Sequence, residues 1–243
     1  MKAALANPEK VTKLVLRRID SLPSSIEQLT NLIELDISKS KLTSLPPQIG
    51  KLKKLKTLIL FKNKLNSLPD EIGELESLER LVLSSNNLTF LPNSISRLTQ
   101  LKELSVRSNK LDSITDNIGK CTDLERLFLS YNNLTKIPRS IGFLVNLEML
   151  DIERNNLKSL PPEIRYCNSL KVLNISRNSF YRFPEDICYL TQLNILDLSY
   201  YGAIGITPAC IKNLSQLDIL YIDNRISIPL STVSRPRLKI VLK

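Results

Sequence analysis

The amino-acid sequence predicts an α/β repeat: a curved solenoid of about ten coils, with a parallel sheet on the concave face and short helical or 3₁₀ turns on the convex face. Two observations carry this. The first is periodicity: seven consecutive units of 23 residues begin at Leu32, Leu55, Leu78, Leu101, Leu124, Leu147 and Leu170. The second is that every unit repeats one consensus, L-x-x-L-x-L-x-x-N-x-L-x-x-L-P-x-x-I-x-x-L, in which a period-2 spacing gives way to a period-3 spacing. A further unit from Leu193 carries one extra residue near Thr207 and Pro208, and shortened units begin at Val11 and Leu217. On this basis the chain divides into a lead-in over 1–10, the array over 11–230 and a capping strand or tail over 231–243.

Each consensus letter has a physical reason. The L-x-L alternation reads as a short strand with one face buried, so Leu58 and Leu60 face the core while Thr57, Ile59 and Phe61 face out. A single coil cannot bury its apolar side chains alone, so neighbouring coils pair their strands into one sheet. The Asn that follows turns the chain. Its amide both donates and accepts, so stacked Asn side chains can satisfy buried backbone groups at the turn. That ladder is Asn63, Asn86, Asn109, Asn132, Asn155 and Asn178, with Ser40 and Tyr201 in the slot near the two ends. The Leu-Pro step suits an extended segment with no amide donor to satisfy. Ile114-Thr115 is the regular unit that lacks the Pro. The closing spacing, as in Ile72, Leu75 and Leu78, fits a helical or 3₁₀ turn on the outside. The tail RPRLKIVLK alternates Leu238, Ile240 and Leu242 and predicts a final strand that shields the open end of the core.

These residues are those of the leucine-rich repeat, and the chain resembles a leucine-rich-repeat solenoid at nearly every repeat position from 11 to 230. The 23-residue unit with L-P-x-x-I-G-x-L is similar to the repeats of bacterial leucine-rich-repeat proteins, of Scribble and Erbin, and of plant intracellular Ras-group-related proteins. The lead-in ALANPEKVTKLVL resembles that of the bacterial members. The resemblance implies a protein-recognition module with no enzymatic activity and no cofactor.

Composition narrows the chemistry. The chain has no His, which excludes Ser-His, Cys-His and His-metal mechanisms within it. Cys121, Cys167, Cys188 and Cys210 form no C-x-x-C pair and have no His to join them, so no zinc site is expected. Their spacing does not read as a disulfide framework either, and the expectation is four buried free thiols. No stretch reaches 18 apolar residues, so no membrane span is expected. The opening MKAALANPEK lacks the apolar run of a signal peptide. As it stands the sequence reads as cytoplasmic, and as secreted or cell-surface if a signal precedes it. The net charge is +10, with 11 basic against 5 acidic residues in 1–60. Concave positions nevertheless mix both signs, and no aromatics interleave with a Lys/Arg stripe, so nucleic acid is not the expected ligand.

The functional signal lies at strand positions that packing leaves free: the third, fifth, seventh and eighth of each unit. In the N-terminal half they place Ile59, Phe61, Val82 and Phe128 together, with Tyr131 close by and Arg80, Arg107 and Arg126 flanking. Exposed aromatics with Arg dominate binding energy at interfaces. This patch is the candidate partner-binding site of a monomer. Towards the C-terminal end Asp151, Glu153, Asp197 and Asp223 form an acidic stretch. The expected role is a non-catalytic scaffold that recognises a protein on its concave face, in a bacterial secreted or surface protein. The alternative is an intracellular signalling adaptor that binds a small GTPase or phosphatase.

Overall fold

Leucines at a fixed interval leave the coils one way to stack, each directly on the last. In the computed structural model, which describes residues 1–200, 205–226 and 237–243, the strands run in sequence order through one parallel sheet. They are β1 Lys13–Val15, β2 Glu34–Asp36, β3 Thr57–Ile59, β4 Arg80–Val82, β5 Glu103–Ser105, β6 Arg126–Phe128, β7 Met149–Asp151, β8 Val172–Asn174, β9 Ile195–Asp197, β10 Ile219–Ile222 and β11 Lys239–Leu242. Register follows the repeat without a slip: Leu58 pairs with Leu81, Leu81 with Leu104, and Leu104 with Leu127. These leucines are fully buried, and one apolar core runs from Leu16 to Ile226. The lead-in forms a short helix, α1 Lys2–Leu5, and lays Met1, Ala4 and Leu5 against the first coil.

The opposite side of each coil is a 3₁₀ turn. In most coils it spans five residues and follows a Pro in extended conformation, as Pro69 (φ −70°, ψ 152°) does before Asp70–Glu74. Proline fixes φ and so presets the entry to the turn. The coil with Thr115 in place of Pro has only a three-residue turn, Ile118–Lys120. There the Thr115 hydroxyl accepts from the Asn117 amide at 3.2 Å and donates to Asn93 Oδ1 at 2.8 Å. In the coil with the extra residue the turn becomes a short helix, α2 Pro208–Asn213, capped by Thr207 Oγ1, which accepts from the Cys210 amide.

The Asn slot makes the same three bonds in coil after coil. Asn109 Oδ1 accepts from the Leu88 amide at 3.0 Å, and Nδ2 donates to Leu83 O at 3.1 Å and Val106 O at 3.0 Å. Asn63, Asn86, Asn132, Asn155 and Asn178 repeat this pattern one coil at a time. Ser40 supplies one bond in the same slot, accepting from the Ile19 amide at 3.3 Å. Tyr201, and the boundary at 231, lie outside the described residues.

The eighth position departs from the sequence reading. It is not a strand position but a left-handed turn. Arg18, Lys39, Lys62, Ser85, Ser108, Tyr131, Arg154, Arg177 and Tyr200 all have φ between 52° and 61°. That conformation costs a residue with a Cβ roughly 1–2 kcal/mol. The offset is visible: the Lys62 amide donates to Ser84 O and the Tyr131 amide to Glu153 O in the following coil, at 3.0 and 2.9 Å. Cohesion between coils thus rests on buried groups that water cannot serve. Replacing Asn109 with Ala is expected to lower unfolding free energy by about 1–3 kcal/mol in a urea titration, with a smaller loss for Ser40→Ala.

Candidate binding face

The third position of successive coils forms a charge column on the concave face. Glu103 on β5 sits between Arg80 on β4 and Arg126 on β6, and accepts from Arg80 Nε at 2.9 Å and Arg126 Nε at 3.2 Å. Two of the three candidate arginines are therefore held by one carboxylate that reading the patch residue by residue missed. The alternating signs Arg80, Glu103, Arg126 were visible once that position is followed down the repeat.

The seventh position alternates large and small: Phe61, Ser84, Arg107, Ser130, Glu153, Ser176. A small residue lets its neighbours reach over it. Arg107 Nη2 crosses the coil of Ser130, which is buried, and meets Asp151 Oδ2 at 2.6 Å two coils away. On the way its guanidinium lies 4.3 Å from the centre of the Phe128 ring, a cation–π contact. Ile59 and Val82 are register partners, and Lys62 lies 5.3 Å over Phe61. Tyr131 is exposed, with Arg154 5.1 Å over its ring. The eight candidate residues thus fall into an apolar group at Ile59, Phe61 and Val82, an arginine pair about Glu103, and a stacked group at Phe128 and Arg107. Tyr131 stands at the rim.

The acidic stretch is not an open negative surface. Asp151, Asp197 and Asp223 are buried. Asp197 Oδ2 takes Lys243 Nζ at 2.5 Å, Asp223 takes Arg225, and Glu153 takes Arg177 at 3.4 Å. Counting carboxylates along one column missed partners that arrive from other coils, one of them from the tail. Burial alone would push the Asp223 carboxyl up, but the Arg225 side chain, with the Arg225 and Tyr200 amides, holds it below the ordinary carboxylate range. Asp36 behaves likewise: Arg17 and Ser38 outweigh its burial. Asp36 and Asp223 stay charged and bonded to their own chain.

The cysteine expectation needs correcting. Cys188 and Cys210 form a disulfide, while Cys121 and Cys167 are free and buried. The physical reason lies in the Gly slot of the repeat. A Cβ on Gly73 would come within 2.3 Å of Ser94 O in the next coil, so the nineteenth position of one coil touches the seventeenth of the next. Cys188 occupies the first of these positions, and the extra residue near Thr207 brings Cys210 into the second. Among the described residues Glu185, Cys188 and Cys210 are the group with metal-ligand chemistry, but the two sulfurs are bonded to each other and offer no thiolates. Burial pushes the Cys121 thiol up to about 11 and Cys167 up to about 12. Their sulfurs donate to Ile95 O and Ile141 O. The disulfide closes a sequence separation of 22 residues. Its reduction, or the double change Cys188→Ala and Cys210→Ala, is expected to cost about 2–4 kcal/mol in thermal or urea unfolding. Cys121 and Cys167 are expected to resist alkylation at pH 8 until the chain unfolds.

With this geometry in view, comparison with known proteins gives a consistent answer. Family models match residues 49–131 as a leucine-rich repeat region, and residues 123–144 and 146–200 as leucine-rich repeats. The chain is a leucine-rich-repeat protein. A leucine-rich-repeat protein of Leptospira interrogans is 29% identical, with a TM-score of 0.83 over 100% of this chain and 80% of that one. A plant peptide hormone receptor, RGFR1, solved in complex with RGF2, is 26% identical with a TM-score of 0.77 over 96% of this chain. This chain covers only 43% of that receptor chain. A chain from an octameric complex of Latrophilin 3, Unc5D and the leucine-rich-repeat part of FLRT2 is 25% identical, with a TM-score of 0.83 over 98% of this chain and 78% of that one. No curated protein matches at a significant level. Among the described residues no helix is long and apolar enough to cross a membrane.

Proposed function

We propose that this protein is a non-catalytic scaffold that binds a protein partner on its concave face, through Ile59, Phe61, Arg80, Val82, Arg107, Arg126, Phe128 and Tyr131. The observation that carries this is the fixing of the arginines by their own chain: Arg80 and Arg126 on Glu103, and Arg107 on Phe128 and Asp151. Side chains ordered before binding lose less freedom on binding, so more of the contact energy appears as affinity. The solved complexes of the plant receptor with RGF2 and of FLRT2 with its partners support a recognition role.

The setting we favour is a bacterial secreted or surface protein. The Cys188–Cys210 disulfide supports an oxidising compartment, and the likeness to the Leptospira protein supports a bacterial one. The same disulfide weighs against an intracellular adaptor for a small GTPase or phosphatase. The test is capture by the immobilised protein, followed by titration of the captured partner. The double change Phe61→Ala and Phe128→Ala is expected to weaken that partner at least about tenfold while melting like the parent. A partner held at full affinity by a folded double variant contradicts the assignment.

A further inference from the structure

The twentieth position of each unit ends the outer 3₁₀ turn and projects from the convex face. Down the array it reads Lys51, Glu74, Arg97, Lys120, Phe143, Tyr166, Tyr189. Charged residues hold the column for four coils, and aromatics then hold it for three. Phe143, Tyr166 and Tyr189 are 69%, 56% and 56% exposed, and Val145 beside them is 49% exposed. The packing of the coil makes no demand at this position, as the four charged occupants show. Yet it takes three of the chain's six Phe and seven Tyr.

The first and last of the three rings are set in place by their own chain. Phe143 leans over the preceding coil, where its Cδ2 lies 3.0 Å from the Cβ site of Gly119. Arg165 lies 4.4 Å over the Tyr189 ring and is itself bonded to Asp186. That stack closes the downstream end of the column. Upstream the same column continues into exposed Lys120 and Arg97.

We propose that this column is a second docking surface, and that its occupant is an amphipathic α-helix of a partner, laid along the solenoid axis. One apolar residue per helical turn would meet Phe143, Tyr166 and Tyr189, and carboxylates in the next two turns would meet Lys120 and Arg97. Pitch and charge carry the choice. Coils repeat at about 4.8 Å along the sheet and more widely on the convex side of a curved array. A helix brings a residue back to the same face about every 5.4 Å. The cationic end calls for an acidic one. The site is separate from the concave face, so a protein carrying both could hold two partners at once.

The probe is a fluorescein-labelled helical peptide with Leu at three successive turns and Glu in the two turns beside them. A second peptide has the same Leu residues with Lys replacing Glu. Fluorescence anisotropy at low salt is expected to show the acidic peptide binding at least about tenfold tighter. Phe143→Ser with Tyr166→Ser should lose about tenfold or more. Arg97→Glu with Lys120→Glu should reverse the preference between the peptides, a gain that unfolding cannot mimic. Phe61→Ala with Phe128→Ala should change nothing, which separates this site from the concave one. The proposal is overturned by absence of binding, by equal binding of the two peptides, or by loss only in the concave variant. It is equally overturned if sedimentation shows the face occupied by a second copy of the chain.

Discussion

A single carboxamide per coil sets the conditions for everything else in this molecule. It accepts from an amide of the coil before it, and donates to one carbonyl of that coil and one of its own. Because those backbone groups are buried, water cannot take the place of the Asn, and the turn recurs at the same residue in each unit. A fixed turn fixes the register of the strands, and a fixed register puts leucine on leucine from β2 to β10. The left-handed residue just before the Asn is tolerated because its amide finds a carbonyl in the next coil. Cohesion of the core is therefore local: the Asn bonds and the strand pairing join each coil only to its neighbours.

Local cohesion frees the outward positions. The third and seventh columns do not pack into the core, and their sequence varies without disturbing the stack. The variation is ordered by reach. Serine in alternate coils lets Arg107 pass over Ser130 to Asp151, and charges placed one coil apart collect Arg80 and Arg126 on Glu103. The concave face thus has its aromatic and cationic groups positioned by its own ion pairs. In the coil carrying an extra residue, a disulfide ties α2 to the turn before it.

How much of this was legible in the sequence follows from which force is periodic. The coil, the strand face and the Asn slot were legible because each answers a demand repeated every 23 residues. The left-handed eighth position was not, because Lys, Ser, Arg and Tyr do not announce that conformation as Gly or Asn would. The disulfide was hidden by one inserted residue, which moved Cys210 out of step with the position facing Cys188. The acidic stretch was misread because Lys243 and Arg177 reach Asp197 and Glu153 from other coils. At the candidate site the sequence placed the residues on the face, and the structure added the bonds that orient them. Glu103 shows only when the third column is followed down the repeat, and Asp151 reaches Arg107 from a different column two coils away.

The most direct test of this account is amide hydrogen exchange, resolved by residue, at the donors that serve the Asn ladder: Leu42, Leu65, Leu88, Leu111, Leu134 and Leu157. The account predicts slow exchange at all six in the parent. In the Asn109→Ala variant it predicts acceleration centred on Leu88 and the coils beside it, with the distant donors still protected. Exchange at Leu88 that does not change, or acceleration spread evenly along the array, would contradict the claim that the side-chain amide holds each coil to its neighbour.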